Sequence, residues 1–566
     1  MTQAGNRDVH RFLKEKGFRL KAPKFGAAAS YEGRLPFRGG SVPVRLDIVD
    51  WDFKSRPEVS LLERPGTLQG FRPHMGHAAI VCYLDRESVY MDPYDPVGVI
   101  GRCLLEATST LEEIAGHKSR LDLQGEFLAN WRAPALVPLM IWTKGDETKR
   151  MLSVRNVDFP HKQGVFVVTD AVERTSKCLD AIGAKLGATF EGAAVEFTTA
   201  ATPAIDPDRW PPGKLKDVIE WLGAWDDKLR RSFLGRLESQ WTVRKTYLLA
   251  MFSTPAGRFG FSFNASYANA VEQASFAKRQ SDRRQRILSQ NPQINRFVAS
   301  DLSPSFLHGR NQSKRETLAD RTISLIGCGT VGGYLATFLA RTGAGLGEGT
   351  LKLYDPESLM PENLGRHVLS FGDLYRNKAE GVVDFIKREF PYIKATARKC
   401  DATQAAELFD TDLLIDASGS SPISSVVNRG HVSRLRAGVL APAVLHVWVE
   451  GPGDAARVLI VDSPKFMCHD CLLRREPGQT PKDRFPVSTR ESAFAREHPG
   501  GCGSYMPFPV SASVTAAALA LDAVRDWARG DAHPRLRSKR LDLAHTQARE
   551  DSSPKPLDTC PACRPR

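Results

Sequence analysis

Three glycines, Gly327, Gly329 and Gly332, close the apolar run TISLIG and open the helical pattern GYLATFLARTG. Glycines at such a junction let main-chain amides approach a phosphate, and the helix that follows offers its N-terminus as a positive pole. Asp355 ends the next apolar run, 23 residues beyond Gly332, where a carboxylate can hold ribose hydroxyls. This much suits NAD as well as ATP. The stretch after Asp355 separates them, because Asn363, Arg366 and Lys378 follow within one short span. Hydride transfer does not need two cations beside the phosphates. A reaction on ATP does, because negative charge builds on the α-phosphate and on the departing pyrophosphate. Asp416 ends DLLIDASG, where a parallel strand meets its loop, and could hold Mg²⁺ through one carboxylate.

The elements that must position these groups alternate from residue 301 onward: TISLIGCG, GYLATFLARTG, TLKLYDP, KAEGVVDFIKREF, ATARKCD, DLLIDASG. Strand and helix in turn predict a parallel α/β sheet. Upstream, residues 1–145 begin with a helical RDVHRFLKEKG. The strand-like segments SVPVRLDIVDW, PEVSLLERP and HAAIVCYL follow, then the amphipathic helix PVGVIGRCLLEATSTLEEI. That order predicts a small α+β domain. Residues 146–300 show strands GVFVVTD and VEFTTA and one long helical stretch, KLKDVIEWLGAWDDKLRRSFLGRLESQ, with no chemical motif.

Composition sets the outer bounds. A chain of 566 residues, 42% hydrophobic and 25% charged, has apolar surface for several cores and is not a disordered tract. The first residues lack the apolar segment of a signal peptide, and the longest apolar run, VSASVTAAALAL, is too short to span a bilayer. The expectation is a soluble cytoplasmic protein with no membrane partner. Basic clusters at 278–286 and 535–540 accompany a net charge of +13. Acidic residues interspersed elsewhere favour solvated faces over a nucleic-acid surface. In a reducing compartment the ten cysteines are not expected to form disulfides.

In its motifs "GCGTVGG", "YDPESLMPENLGRH", Lys378 and "LLIDASG", the chain resembles the ThiF/MoeB-like adenylating enzymes, which include the ubiquitin-activating enzymes. The resemblance covers roughly residues 301–566. It implies that Gly327, Gly329, Gly332 and Asp355 bind ATP, that Asn363, Arg366 and Lys378 orient its phosphates, and that Asp416 binds Mg²⁺. It also accounts for two CxxC pairs, Cys468 with Cys471 and Cys560 with Cys563. Four thiolates at this spacing suit a tetrahedral, structural Zn²⁺. Members of the family work as dimers, and an arginine from the second protomer can complete the site; Arg310 is the candidate here.

The same resemblance implies a thiolate that takes the acyl group from the adenylate. Cys502, in a Gly-rich loop ahead of a helical pattern, is the candidate nucleophile. Cys328 lies within the phosphate turn and reads as a small filler; Cys400 reads as core. The N-terminal segments "RLPFRGGSVPVRLDIVDWDFKSRPEVSLLERPG" and "FRPHMGHAAIVCYLDRESVYMDPYDPVGVIGRCLLEA" resemble the strand meander and active-site stretch of ubiquitin-conjugating enzymes. By that register Cys82 is the second catalytic cysteine and Cys103 belongs to the core. The usual His-Pro-Asn run is replaced by Pro73-His74-Met75, so no Asn stands ready for an oxyanion; His74, His77 or a main-chain amide are the open alternatives.

A conjugating-type domain ahead of an activating-type domain resembles the fusion protein of bacterial CBASS anti-phage operons. The resemblance implies an ATP-dependent transferase in antiviral defence, with residues 146–300 as a middle α/β linker domain. It would adenylate the C-terminus of a cGAS-like nucleotidyltransferase, carry it as a thioester and join it to a target lysine. Related bacterial fusions act on a dedicated ubiquitin-like protein, and these motifs do not separate the two. A sulfur-carrier adenylating enzyme would have no need of the Cys82 block. An NAD-dependent reductase would leave Lys378 and both CxxC pairs without a purpose. A non-catalytic nucleic-acid-binding scaffold would rest on the net charge alone.

Overall fold

The computed structural model describes residues 3–69, 72, 74–76, 79–83, 91–116, 127–131, 139–142, 151–189, 192–206, 209–239, 247–264, 284–313, 315–476, 478–479, 481–490, 506–530 and 533–564. The chain divides into two compact units. One holds Met1–Val172 and Leu186–Asp301, the other Glu173–Lys185 and Leu302–Arg566.

The first unit opens with a helix, Gln3–Glu15, whose Val9 and Leu13 are fully buried. An antiparallel meander follows: β1 (Arg19–Lys21), β2 (Ala29–Phe37), β3 (Gly40–Ile48) and β4 (Glu58–Leu61), paired in that order. Val42, Val44 and Leu46 alternate inward along β3, the two-residue period of a sheet with one covered face. Asp50 closes the turn after β3, its two carboxylate oxygens accepting the Lys54 and Ser55 amides at 2.9 Å each. The helix Pro96–Ala115 starts on Asp95, which caps the Gly98 amide, and buries Ile100, Cys103, Ala107 and Leu111 in the same core. HAAIVCYL reads as a strand in the sequence. In the structure Ile80 and Val81 make only single bridges, to Ser60 and Met75, and Ala79 adopts a left-handed φ of 59°, which breaks a regular ladder.

The rest of this unit, expected as an α/β linker, combines helices with one large sheet. Strands β5 (Leu139–Trp142), β6 (Met151–Phe159), β7 (Lys162–Thr169), β8 (Lys185–Thr189), β9 (Gly192–Thr198), β10 (Tyr247–Thr254), β11 (Gly257–Asn264) and β12 (Asn295–Asp301) form one mixed sheet. Its order is β7-β5-β12-β11-β10-β9-β6-β8, and β6 pairs also with β7, which closes seven strands into a ring. Phe127, Trp131, Trp221 and Phe259 fill its aromatic core, and the Trp131 indole donates to the Gly260 carbonyl at 2.9 Å. The long helix read over residues 214–240 is two, Leu215–Trp225 and Asp227–Ser239. Asp226 separates them in an extended conformation, accepting from the Leu229 amide and the Thr199 hydroxyl. An aspartate so held starts a new helix.

In the second unit β13 (Ile323–Ile326), β14 (Leu351–Tyr354), β15 (Ala395–Arg398), β16 (Leu413–Asp416) and β17 (Ala443–Glu450) pair in parallel, in the order β15-β14-β13-β16-β17. Two antiparallel strands, β18 (Ala455–Val461) and β21 (Leu536–Arg540), extend the sheet past β17. All four residues of β13 and of β16 are buried, as a parallel strand covered on both faces requires. A short ribbon, β19 (Leu473–Arg474) with β20 (Lys482–Asp483), lies between β18 and β21 in sequence. Chain direction across the sheet reverses between β13 and β16. Ligands of such folds bind in the crevice at the carboxyl ends of the strands flanking that point. The basic run 535–540 falls largely on β21; Arg535, just before it, pairs with Asp462, and Arg537 with Asp526. These cations are already neutralised. Among the described residues no helix is long and apolar enough to cross a membrane.

Candidate active site

β13 delivers the chain into the glycine turn, and the helix Thr330–Arg341 leaves it. Each glycine has its own reason to be there. Gly327 has φ +82°, and a Cβ on it would stand 2.8 Å from the Ser418 main chain. A Cβ on Gly332 would stand 1.8 Å from the Gly327 carbonyl, so the helix can start this close to the turn only with glycine there. Gly329 caps the helix at an ordinary φ of −72°, with nothing within 4 Å of a would-be Cβ. Its freedom is toward open space, on the wall of the crevice.

Asp355 holds this turn. One carboxylate oxygen accepts the Cys328 amide at 2.7 Å and the other the Glu357 amide at 2.8 Å. Burial pushes its pKa up, against these hydrogen bonds. His367, which the sequence reading passed over, pins the same turn from above. Its Nδ1 accepts the Leu369 amide, so Nε2 carries the proton and donates to the Cys328 carbonyl at 2.7 Å. Burial pushes the Cys328 thiol well up, which suits the filler expected there and not a nucleophile.

The two cations come from the loop after β14 and the helix that follows it. Lys378 begins the helix Lys378–Glu389, capped by Asn377, whose Nδ2 also donates to the Asp355 and Glu357 carbonyls. The Lys378 side chain is only 7% exposed, and its Nζ meets the Glu357 carboxylate at 2.5 Å. The Arg366 guanidinium lies 4.6 Å over the Phe508 ring, and its carbonyl accepts the Thr330 hydroxyl at 3.0 Å. Asn363 accepts the Met360 amide at 3.0 Å. Gly327, Gly329, Asp355, Asn363, Arg366 and Lys378 line one cavity of about 1040 Å³. The sequence singled out these six, and the fold brings them together. The cavity also takes in Glu357, Cys400, Asp401, Ser418, Trp448 and Arg475. Cys400, read from the sequence as core, is half-buried on this wall. The serine run after Asp416 was the one sequence signal for the far wall.

Asp416 and Gly332 lie beneath the cavity and do not line it. Asp416 is 2% exposed. Its Oδ1 accepts the Ser418 amide and hydroxyl, and its Oδ2 the Ser424 hydroxyl at 2.5 Å and His446 Nδ1 at 2.9 Å. Burial alone would raise its pKa, but His446 and the two serines outweigh that and bring it to about 2. A carboxylate with four donors on two oxygens has no lone pair turned to the crevice. This arrangement does not fit a direct Mg²⁺ ligand; a hydroxyl would first have to turn away.

Cys468, Cys471, Cys560 and Cys563 converge, with their sulfurs within 4.8 Å of one another and recorded contacts of 3.6–3.8 Å. Zn–S bonds of about 2.3 Å in a tetrahedron place sulfurs about 3.8 Å apart, so the donors fit zinc. Asn428 donates to Cys468 Sγ and the Leu557 amide to Cys471 Sγ, the outer hydrogen bonds such thiolates need. His469 and Asp470, between the first two cysteines, line the cavity. The cluster therefore braces one wall of the crevice.

Cys82 belongs to the first unit and is half-buried. Its amide donates to the His74 carbonyl at 2.7 Å, and Arg56 Nη2 stands 3.8 Å from its sulfur. Cys103 is buried, and burial raises its thiol pKa. Cys502 and His77 lie outside the described residues. Arg310 follows the short helix Pro304–Gly309, is exposed, and does not line the cavity.

The glycine turn at the switch point, the acid after β14 and the paired cations define an adenylating enzyme of the ThiF class, and residues 304–562 match the model of the ThiF family. Over 564 residues the chain is 30% identical to the ATP-dependent ubiquitin transferase-like protein Cap2 of Pseudomonas aeruginosa (strain BWHPSA011 / Pa011), covering 98% of each. It is 26% identical over 512 residues to the protein of the same name from Escherichia coli (strain TW11681), covering 86% of this chain and 85% of that one. A crystal structure of E. coli MccB with ATP overlays 53% of this chain and 88% of its own, with a TM-score of 0.34 and 18% identity. The chain belongs to the Cap2 family of ATP-dependent ubiquitin transferase-like proteins, the CBASS fusion class that its motifs resemble. It is an ATP-dependent enzyme of adenylating, ubiquitin-like conjugation.

Proposed function

We propose that this chain activates the C-terminal carboxylate of a cGAS-like nucleotidyltransferase, passes it from Cys502 to Cys82, and joins it to a lysine amine. The observation that carries the adenylation step is the single cavity shared by the glycine turn, Arg366 and Lys378. Main-chain amides of the turn hold the phosphates. Lys378 exchanges Glu357 for the triphosphate, and Arg366, fixed by Phe508 and Thr330, meets the charge that builds as pyrophosphate leaves. Asp355 keeps the turn in shape. Asp416 with His446 supports the far wall. Mg²⁺ would neutralise phosphate charge when bound; given the hydrogen bonds on Asp416, no step is assigned to it. Zinc on the four cysteines supplies cohesion and no chemistry.

Activation then falls to residues 301–566, conjugation to residues 1–145, and residues 146–300 link them. The attacking thiol forms an S–C bond with the acyl-adenylate carbonyl, AMP departs, and the thiol proton passes to solvent. ATP–pyrophosphate exchange in the presence of the nucleotidyltransferase tests the first step. Exchange that needs the intact C-terminus of that partner supports the reading. Exchange driven only by a ubiquitin-like protein reassigns the substrate, and none with either removes adenylation of a protein tail. For the carriers, Cys502→Ala should abolish both thioesters, and Cys82→Ala only the second. A thioester that survives both substitutions removes the two-cysteine relay.

A further inference from the structure

We propose that Arg56 is the oxyanion-stabilising residue at Cys82, in place of the asparagine that the sequence lacks there. This rests on the reading of Cys82 as the second thioester carrier. Thioester aminolysis passes through a tetrahedral carbon whose oxygen bears a full negative charge, and a donor aimed at that oxygen lowers the barrier.

Among the described residues, three main-chain amides beside Cys82 are already engaged. The Cys82 amide donates to the His74 carbonyl, the Val81 amide to the Val59 carbonyl and the Gly76 amide to the Ile80 carbonyl. The Tyr83 hydroxyl, which burial keeps protonated, donates to the Pro57 carbonyl. His74 has a left-handed φ of 56°, which turns its carbonyl onto the Cys82 amide as an acceptor. Among the described residues, the donor recorded on the Cys82 sulfur is Arg56 Nη2, at 3.8 Å.

Arg56 is held where it stands. The Asp50 turn fixes Lys54 and Ser55 just before it, and buried Pro57 leads into β4 just after it. Its guanidinium lies over the Tyr83 ring, 5.7 Å from the centroid. Stacking and a planar fork keep such a cation oriented better than a lysine ammonium would be. The acyl oxygen sits two bonds from the sulfur, within the space that a donor at 3.8 Å from that sulfur reaches. An effective oxyanion donor stands roughly 2.7–3.1 Å from the oxygen.

The step balances simply. The amine nitrogen bonds to the thioester carbon, and the C=O pair moves onto oxygen, where Arg56 donates. The pair returns, the C–S bond breaks, and the Cys82 thiolate leaves. The ammonium proton passes to water.

The test uses the full chain and a fluorescent diglycyl peptide thioester of mercaptoethanesulfonate, which charges thiols by exchange without ATP or a partner. Peptide mass spectrometry locates the adduct, and discharge is timed with free lysine. Wild type should carry the adduct on Cys82. Arg56→Gln should charge normally and discharge about 10- to 100-fold more slowly, below the full effect of a buried donor because this site is half-buried. Arg56→Ala should recover with added ethylguanidinium, which a merely structural role would not allow. Arg56→Gln discharging at the wild-type rate, or no rescue of a slowed Arg56→Ala, overturns the proposal. A wild type that charges other cysteines and not Cys82 overturns the reading beneath it, and does so before Arg56 is touched.

Discussion

Alanine at Gly329 and alanine at Gly332 should separate nucleotide binding from stability. The two positions are three residues apart and look alike in the sequence. At Gly332 the new methyl would stand 1.8 Å from the Gly327 carbonyl. That neighbour is main chain and cannot swing aside, so turn or helix must move, at a cost of about 1–3 kcal/mol. At Gly329 nothing lies within 4 Å, and φ is −72°. Alanine at a helix cap costs about 0.5–1 kcal/mol, which the stiffer unfolded chain offsets by about 0.4–1 kcal/mol. Net stability should hardly change. The Gly329 methyl would, however, stand on the cavity wall where a phosphate must approach the amides. A loss of about 1.4 kcal/mol of contact is tenfold in affinity. Titration calorimetry with ATP should therefore show Gly329→Ala about tenfold weaker at an unchanged urea midpoint. Gly332→Ala should lose both. If Gly329→Ala binds ATP as tightly as wild type, the phosphates do not lie on this turn and the placement of the nucleotide is wrong.

Glu357 pairs with Lys378 but is itself 70% exposed, so the pair is weakened by solvent; Glu357→Gln should tighten ATP about 2- to 5-fold by calorimetry, whereas Lys378→Met should slow pyrophosphate exchange about 100-fold or more. Metal analysis should find about one zinc per chain, and Cys560→Ser should lose it and lower the thermal midpoint, since binding a structural zinc is folding free energy. Asp416 has a folded pKa of about 2, below its ordinary 3.8, so its contribution of about 2 kcal/mol is complete above pH 4 and disappears as pH falls toward 2. The difference in urea stability between wild type and Asp416→Asn should shrink over that window and stay constant from pH 5 to 7.

The second unit was legible because its rules are local. Four-residue apolar strands between amphipathic helices can form only a covered parallel sheet, and glycine spacing marks the turn by sterics alone. The ring of strands in residues 127–301 was not legible. Two of its seven strands were read, because strands such as YLLAMFST are buried along most of their length and show no alternation to betray them. Asp226 was hidden for the opposite reason: within WDDKLRR it reads as another polar face residue, and only its bonds to Thr199 and Leu229 make it a helix boundary.

At the sites, residues whose role follows from type and spacing were found, and residues whose role follows from a distant partner were not. Asp416 illustrates the limit. Its place at the end of β16 is a strand-and-loop fact and was read correctly, but a carboxylate's availability depends on its donors. Three of those, Ser418, Ser424 and His446, come from the next loop, the next helix and the neighbouring strand. Arg56 shows the same limit from another side. Nothing in FKSRPEV sets it apart from any surface arginine; it acquires meaning only when the Asp50 turn and the bend at Ala79 bring it to a sulfur 26 positions later. Chemistry assigned by motif therefore needs a second check in any such chain: not whether the right atom types are present, but whether their hydrogen-bonding capacity is still unspent.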